Sequence, residues 1–202
     1  MHLLLVRHGR TASNVARLLD TAYPGSPLDE VGVAQARGLV ERLAGVPLDA
    51  IYTSDLVRSW QTAQPLAEAR GLTPVAHAGL REIQAGDHEM SPEYHPYVQM
   101  LIRWGSDPDL RMPGGETGRE VLDRFDAVLR DAADHERVLA VSHGALIRLW
   151  VAQRAANLPP NFLRTASMDN TVVVELDGHP GQGWRVRTWA GEPFDGVTPG
   201  GS

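Results

Sequence analysis

The chain has 202 residues, 43% hydrophobic and 22% charged, a composition typical of a folded domain rather than a disordered chain. Because it contains no cysteine, disulfides, thiolate zinc sites, iron–sulfur clusters and a cysteine nucleophile are excluded. The net charge of −6 argues against general nucleic-acid binding, and neither an export signal nor a run of about 18 apolar residues is visible. We therefore expect a cytoplasmic protein with no nucleic-acid or membrane partner.

The first part of the chain alternates short apolar runs with helical patterns. Three apolar runs predict strands: Leu3–Val6, Ala50–Thr53 and an edge strand at Thr73–Ala76. Two intervening patterns predict helices: Asp29–Gly45, and a helix capped by Ser54 or Asp55 that runs to about Arg70. Gly71 is expected to end the second of these helices.

The second part begins with a segment that is too long for an ordinary connection. We expect residues 83–115 to form a lid with one helix at Tyr94–Trp104. After the lid, Thr117 and Glu120 have the spacing of a capping box and predict a helix to about His135. The remaining expected elements are a buried strand at Val138–Ser142, a helix from Gly144 to about Ala156, and closing strands Thr171–Leu176 and Trp184–Thr188 around a turn at Asp177-Gly178.

The alternation of strands and helices predicts an α/β fold. We expect a three-layer sandwich, in which a mostly parallel central sheet has helices on both faces and the lid is an insertion. Residues 1–190 should form a single domain, and the Gly- and Pro-rich residues 191–202 a poorly ordered tail.

Two of the predicted strands end in the same way. Arg7-His8-Gly9 follows Val6, and His143-Gly144 follows Ser142. Ligand sites in parallel sheets form beyond the carboxyl ends of the strands, so neighbouring strands would bring the two histidines to one crevice. A single histidine is more often structural, but two matched His-Gly pairs favour a functional site.

Arginine side chains near these histidines indicate an anionic substrate. Arg7 precedes His8, and Arg58 lies in the first turns of a predicted helix. A guanidinium group matches phosphate oxygens with paired hydrogen bonds and stays charged. Asn14 could add a neutral donor, whereas Thr11 is expected mainly to cap and support the backbone. Taken alone, Arg58 would be read as part of a solvated helix face.

Four ordered motifs resemble the histidine phosphatase superfamily, which contains cofactor-dependent phosphoglycerate mutases and many phosphomonoesterases. The resemblance covers roughly residues 2 to 176. The motifs are Arg7-His8-Gly9-x-Thr11-x-x-Asn14, Ser54-Asp55-Leu56-x-Arg58-x-x-Gln61-Thr62-Ala63, Leu80-Arg81-Glu82 and Ser142-His143-Gly144.

The resemblance implies a role for each matching residue. His8 would be the nucleophile that becomes transiently phosphorylated, and it must attack as a neutral imidazole. Arg7, Arg58 and a cationic His143 would hold the phosphoryl group with help from Asn14, so that no metal or cofactor is required. We assign substrate binding to Asn14, Gly144, Thr11 and Arg81.

The resemblance also implies that Glu82 protonates the leaving oxygen and then accepts a proton from the attacking water. Asp87 and Glu89 lie in the same segment and remain alternatives. The sequence departs from the family pattern where His88 replaces an aromatic residue and Met90 replaces a glycine. We expect Met90 to exclude a backbone conformation that glycine enters freely, which would alter the substrate pocket.

The first functional hypothesis is a metal-independent phosphomonoesterase acting on a small phosphorylated metabolite. The second is a cofactor-dependent phosphoglycerate mutase, which passes the same phosphoryl group between two substrate oxygens. The third is a non-catalytic module that binds a phosphorylated ligand. Members of this family commonly dimerise, so the resemblance leaves both a monomer and a homodimer open.

Overall fold

The computed structural model of the protein describes residues 1–194, and one seven-stranded sheet forms their centre. The strands are β1 His2–Arg7, β2 Ala50–Thr53, β3 Val75–Ala76, β4 Arg137–Ser142, β5 Val173–His179, β6 Gly183–Trp189 and β7 Glu192–Pro193. The helices are α1 Ala12–Val15, α2 Glu30–Arg42, α3 Val57–Arg70, α4 Tyr94–Trp104, α5 Gly118–Asp131, α6 Gly144–Arg154 and α7 Phe162–Thr165. Within residues 1–194, no helix has the length and apolarity needed to cross a bilayer.

The spatial order of the strands is β3-β2-β4-β1-β5-β6-β7. The first four strands in this order are parallel to one another, and the last three continue the sheet in antiparallel pairs. The expected α/β fold is confirmed, and the antiparallel strands make the sheet a mixed one. β3 is an edge strand, as predicted.

Alternating residues of β1 pack into two separate apolar clusters, one on each face of the sheet. Leu4 and Val6 pack with residues of α2 and α3, whereas Leu3 and Leu5 pack with residues of α5 and α6. All four side chains are fully buried. Helices therefore cover both faces of β1, and the expected three-layer sandwich is confirmed.

Three helix boundaries differ from the prediction, one of them the end of α2, which lies at Arg42 rather than at Gly45. The capping box of Thr117 and Glu120 is present, but α5 ends at Asp131 rather than near His135. The predicted cap of α3 at Ser54 or Asp55 is wrong, because the N-cap is Leu56 and makes no side-chain capping bond. Ser54 instead accepts a bond from the Leu56 amide at 3.2 Å and contacts His143.

The closing hairpin turns later than expected. The turn predicted at Asp177-Gly178 is wrong, since β5 continues through both residues to His179. Gly178 pairs with Trp184 across the hairpin, and a Cβ atom at Gly178 would overlap the Trp184 ring. This glycine therefore leaves space for the facing strand, namely the Gly183 carbonyl oxygen and the Trp184 ring, and does not form a turn.

Two residues of the segment expected to be a tail pair with the sheet. β7 lies inside the segment expected to be a tail, and Phe194 is 8% exposed and packs edge-on against Phe162. The rest of the expected tail, 195–202, lies outside the described residues.

The segment expected to form a lid contains α4 at the predicted bounds. Tyr97 and Trp104 on α4 are buried in the same apolar cluster as α5 and α6. The expectation for Met90 is wrong, because its backbone adopts the left-handed conformation with φ of 59°. Its amide donates to the Leu19 carbonyl at 2.9 Å, and its side chain is 49% exposed, so surrounding bonds hold the backbone without crowding the side chain.

Candidate active site

The two histidines that follow β1 and β4 lie side by side. Arg7 and Ser142 are partners in the parallel register, so the next residues, His8 and His143, leave the sheet at the same edge. Their ring centroids are 5.1 Å apart, and both side chains are buried. The predicted crevice at the carboxyl ends of neighbouring strands is present.

Close packing of two glycines sets the path of the chain after His8. A Cβ atom on Gly9 would lie 2.7 Å from the carbonyl oxygen of Gly32 in α2, which is closer than real side chains approach. The Gly9 amide donates to Thr62 Oγ1 on α3 at 2.9 Å. The loop that carries His8 is thus fixed between two helices.

Hydrogen bonds define the tautomer of His8. Nδ1 lies 2.7 Å from the Gly9 carbonyl oxygen, which can only accept, so Nδ1 carries the proton. Nε2 therefore holds a lone pair, and it accepts a bond from Arg58 Nε at 3.1 Å. Burial, with Arg58 and Arg7 nearby, lowers the pKa of His8 well below its ordinary value, so the imidazole is neutral.

Two arginines flank His8, each with an unused donor. Arg58 Nη2 donates to the Asp20 carbonyl at 2.9 Å, and Arg7 Nη1 donates to the Met168 carbonyl at 2.5 Å. Arg58 Nη1 and Arg7 Nε are buried without a hydrogen-bond partner. Burial lowers the pKa of both guanidinium groups, while neighbouring carboxylates, including that of Glu82, raise it.

His143 is held from one side only. Its Nε2 lies 2.9 Å from Ser54 Oγ and 3.4 Å from Ser59 Oγ, whereas its buried Nδ1 has no partner. Burial, followed by the charge of Arg58, lowers the pKa of His143 well below its ordinary value. The expectation of a cationic His143 is therefore wrong, because desolvation and the guanidinium groups of Arg58, Arg124 and Arg7 oppose a further positive charge.

The unpartnered groups are concentrated at this site. Within residues 1–194, five buried side-chain nitrogen or oxygen atoms have no partner: Arg7 Nε, Arg58 Nη1, His143 Nδ1, Arg148 Nε and Thr188 Oγ1. Four of the five belong to residues at or beside the crevice. Buried polar groups are normally satisfied, so a cluster of unused groups, three of them guanidinium donors, indicates a site for a ligand rich in acceptor oxygens.

Glu82 lies at the start of the helix that follows His143. Its Oε1 accepts from the amides of Ile83 at 2.9 Å and Leu146 at 3.0 Å, and its Oε2 accepts from the Ala145 amide at 3.3 Å. The N-terminus of α6 favours a negative group at this point. Asp87 is exposed, and Glu89 is bonded to the amides of residues 21 and 22, so neither alternative acid lines the crevice.

A cavity of about 190 Å³ contains the site. Thr11, Asn14 and Gly144 line it, as expected for substrate-binding residues. Asn14 Oδ1 accepts from the Thr11 amide at 3.2 Å, which leaves the Nδ2 group of Asn14 available to donate. Four residues of α4 also line the cavity: Tyr94, Tyr97, Val98 and Leu101.

Arg81 does not line this cavity, in contrast to its predicted place in the substrate site. It forms a two-bond ion pair with Asp55 at 2.7 and 2.6 Å. Its guanidinium carbon lies 5.0 Å from the centre of the Tyr23 ring. Arg81 faces a neighbouring groove on the other side of Glu82.

Four residues of the site were missed by the sequence reasoning. Asp20 accepts from Arg58, Ser59 contacts His143, and Asn170 Nδ2 donates to the His8 carbonyl at 3.0 Å. Arg148 lines the cavity. Arg148 could have been suggested by its position one helical turn after Gly144, whereas nothing in the local sequence distinguishes Asp20 or Asn170.

Comparison with known proteins identifies related chains. The model of the "Histidine phosphatase superfamily (branch 1)" matches residues 3–191. The PE-PGRS family protein PE_PGRS11 of Mycobacterium tuberculosis is 34% identical over 93% of this chain, which spans 36% of that protein. The "Probable phosphoglycerate mutase GpmB" of Proteus mirabilis is 30% identical, over 98% of this chain and 94% of its own.

Solved structures with the same fold include phosphatases. A mycobacterial glucosyl-3-phosphoglycerate phosphatase complexed with VO3 is 28% identical, with a TM-score of 0.78 over 94% of this chain and 98% of its own. A putative alpha-ribazole-5'-P phosphatase from Escherichia coli is 26% identical, with a TM-score of 0.75 over 94% of this chain and 95% of its own.

Proposed function

The chain belongs to the histidine phosphatase superfamily (branch 1), and from this premise we propose that it is a metal-independent phosphomonoesterase that forms a phosphohistidine on His8. The substrate we propose is a small phosphorylated metabolite. One observation carries the proposal: the lone pair of a neutral, buried His8 Nε2 lies beside buried cationic groups that have unused donors.

The first step is an in-line attack on phosphorus. His8 Nε2 forms the N–P bond as the bond from phosphorus to the leaving oxygen breaks. Negative charge on the non-bridging oxygens is stabilised by Arg7 and Arg58, whose unpartnered nitrogens are already buried beside His8. Arg58 Nε must release Nε2 as it turns toward the phosphoryl oxygens.

We assign the role of acid and base to Glu82. Its carboxyl group lines the same cavity and is held by amides of α6. In the first step a protonated Glu82 gives its proton to the leaving oxygen. In the second step the carboxylate takes a proton from the water that attacks phosphohistidine, which regenerates His8 and releases inorganic phosphate.

Hydrolysis of p-nitrophenyl phosphate in excess chelator tests the proposal. The wild-type protein should release p-nitrophenol, whereas His8→Ala should be inactive, because the variant has no nucleophile. Equal rates for the two proteins, or activity that disappears with chelator, would overturn the proposal. The variant His135→Ala is a suitable control, since His135 lies beside Tyr52 rather than in the cavity.

A second candidate is a phosphoglycerate mutase, which is favoured by the similarity to GpmB-named proteins over nearly the full length of both chains. The same phosphohistidine would then return its phosphoryl group to a second substrate oxygen. Incubation of 3-phosphoglycerate with a bisphosphoglycerate primer distinguishes the two. Isomer formation without free phosphate would support the mutase, and release of phosphate would support the phosphatase.

A further inference from the structure

Residues 79–83, which carry Glu82, lie in no strand of the sheet, yet side chains satisfy all five of their carbonyl groups. Three of these bonds come from Arg124 on α5, at 2.7, 2.8 and 3.2 Å. The donors are Arg124 for Gly79, Arg81 and Glu82, Ser142 for Leu80, and Tyr97 for Ile83. Side chains from other elements therefore hold the carbonyl groups of this segment in place.

Arg124 is fully used in this arrangement. Its Nε and Nη2 donate to the Glu116 carboxylate at 2.8 and 2.9 Å, and the three bonds to carbonyl groups use the remaining capacity of its five N–H groups. Glu116 Oε1 also accepts from the Gln84 amide at 3.0 Å. The Arg124–Glu116 pair thus holds the chain on both sides of Glu82.

Both members of the pair are shielded from solvent. The side chain of Arg124 is 20% exposed and that of Glu116 is 10% exposed. Charge-assisted hydrogen bonds in such an environment are strong and directional. Without the guanidinium group, three carbonyl dipoles that now converge on it would lose their common donor, and the segment would relax.

We propose that Arg124, oriented by Glu116, is a positioning residue that sets the reach of Glu82 toward the leaving oxygen; this inference rests on the acid–base role proposed for Glu82. Arg124 does not line the cavity with His8, so it acts through the backbone and not through the substrate. Proton transfer depends steeply on geometry, and a displacement of about 1 Å can reduce a rate on the order of 10²-fold.

Leaving-group dependence separates positioning of the acid from a general loss of structure. An alkyl phosphate such as glycerol phosphate needs a proton on its leaving oxygen, whereas 2,4-dinitrophenyl phosphate leaves as a stable anion. The value of kcat/KM reports steps up to departure of the leaving group. For Arg124→Met we expect kcat/KM on glycerol phosphate to fall on the order of 10²-fold, with dinitrophenyl phosphate close to wild type.

Glu82→Gln provides the reference signature, and Glu116→Gln provides a second test if Arg124→Met fails to fold. Glu116→Gln should also lower the ratio of kcat/KM on glycerol phosphate to kcat/KM on dinitrophenyl phosphate. The decrease should be smaller than for Arg124→Met, because glutamine keeps the shape of the Glu116 side chain and an acceptor oxygen for the Gln84 amide. The matched control is Arg154→Met. This substitution removes a comparable ion pair between Arg154 on α6 and Asp126, which lies on the same helix as Arg124, and it should leave the ratio unchanged.

The outcomes identify which idea fails. Suppose that Glu82→Gln selectively lowers kcat/KM on glycerol phosphate. If the Arg124 and Glu116 variants then lose kcat/KM equally on both substrates, or lose none, the positioning role is overturned. If Glu82→Gln itself shows no leaving-group dependence, the acid role fails. If His8→Ala remains active, the proposed function fails.

Discussion

Replacement of Arg58 by methionine tests the electrostatic reasoning about His8. Arg58 Nε lies 3.1 Å from His8 Nε2, and its charge is, after burial, the largest cause of the lowered pKa of His8. The substitution removes this positive charge, so the pKa of His8 should rise. It also removes the unpartnered Nη1 that we propose binds a phosphoryl oxygen.

The two consequences have different signatures. Loss of one donor to the transition state should lower kcat by about 10²–10³ at a pH where His8 is neutral in both proteins. Protonated His8 cannot attack, so activity is lost as the pH falls through the pKa of His8. Because Arg58→Met raises this pKa, its acidic limb should begin at a higher pH than in the wild type.

The assay is kcat and kcat/KM for p-nitrophenyl phosphate as functions of pH, with phosphoryl ionisation at pH ~6 common to both proteins. Arg187→Met is the matched control, because Arg187 on β6 is exposed and pairs with Asp177 away from the cavity. An acidic limb that stays in place or moves to lower pH in Arg58→Met would refute the assignment of Arg58 as the charge that depresses the pKa of His8.

Two further predictions concern backbone positions. Gly25→Ala should lower kcat/KM without removing a catalytic group, because a Cβ atom at Gly25 would overlap Arg58 Nη1 and Gly25 has φ of 73°; wild-type kinetics with an unchanged free energy of unfolding would contradict this. Met90→Gly should raise the free energy of unfolding by up to about 1 kcal/mol in urea titrations, because glycine tolerates the left-handed backbone at φ of 59°. A destabilised Met90→Gly would show that packing of the methionine side chain outweighs the strain.

Much of the architecture and the centre of the site could be predicted from local sequence. The apolar runs before His8 and His143 identify buried strands, and parallel pairing of neighbouring strands brings their ends together. The helix at Tyr94–Trp104 and the capping box at Thr117 follow from periodicity and spacing over a few residues. These features depend on contacts within one element or on a general rule of sheet topology.

The charge state of His143 and the turn of the closing hairpin could not be predicted in this way. His143 is neutral because burial and arginines from distant parts of the chain act on it together. Gly178 suggested a turn, but it accommodates the ring of Trp184 across the hairpin. A histidine can be neutral or cationic, and a glycine can lie in a turn or in a strand. In both cases the outcome depends on neighbours that are distant in sequence or lie across the hairpin.

The sequence by itself determined the order of strands and helices and the residue types that meet at the crevice, because hydrophobic periodicity and strand-end motifs are local. Only the tertiary structure decided how those residues are held. Asn170 is 162 residues from His8, and Arg124 is 42 residues from Glu82, yet each forms a hydrogen bond to the backbone carbonyl of the site residue. Such contacts leave no local pattern, since their partners are selected by the packing of the whole fold.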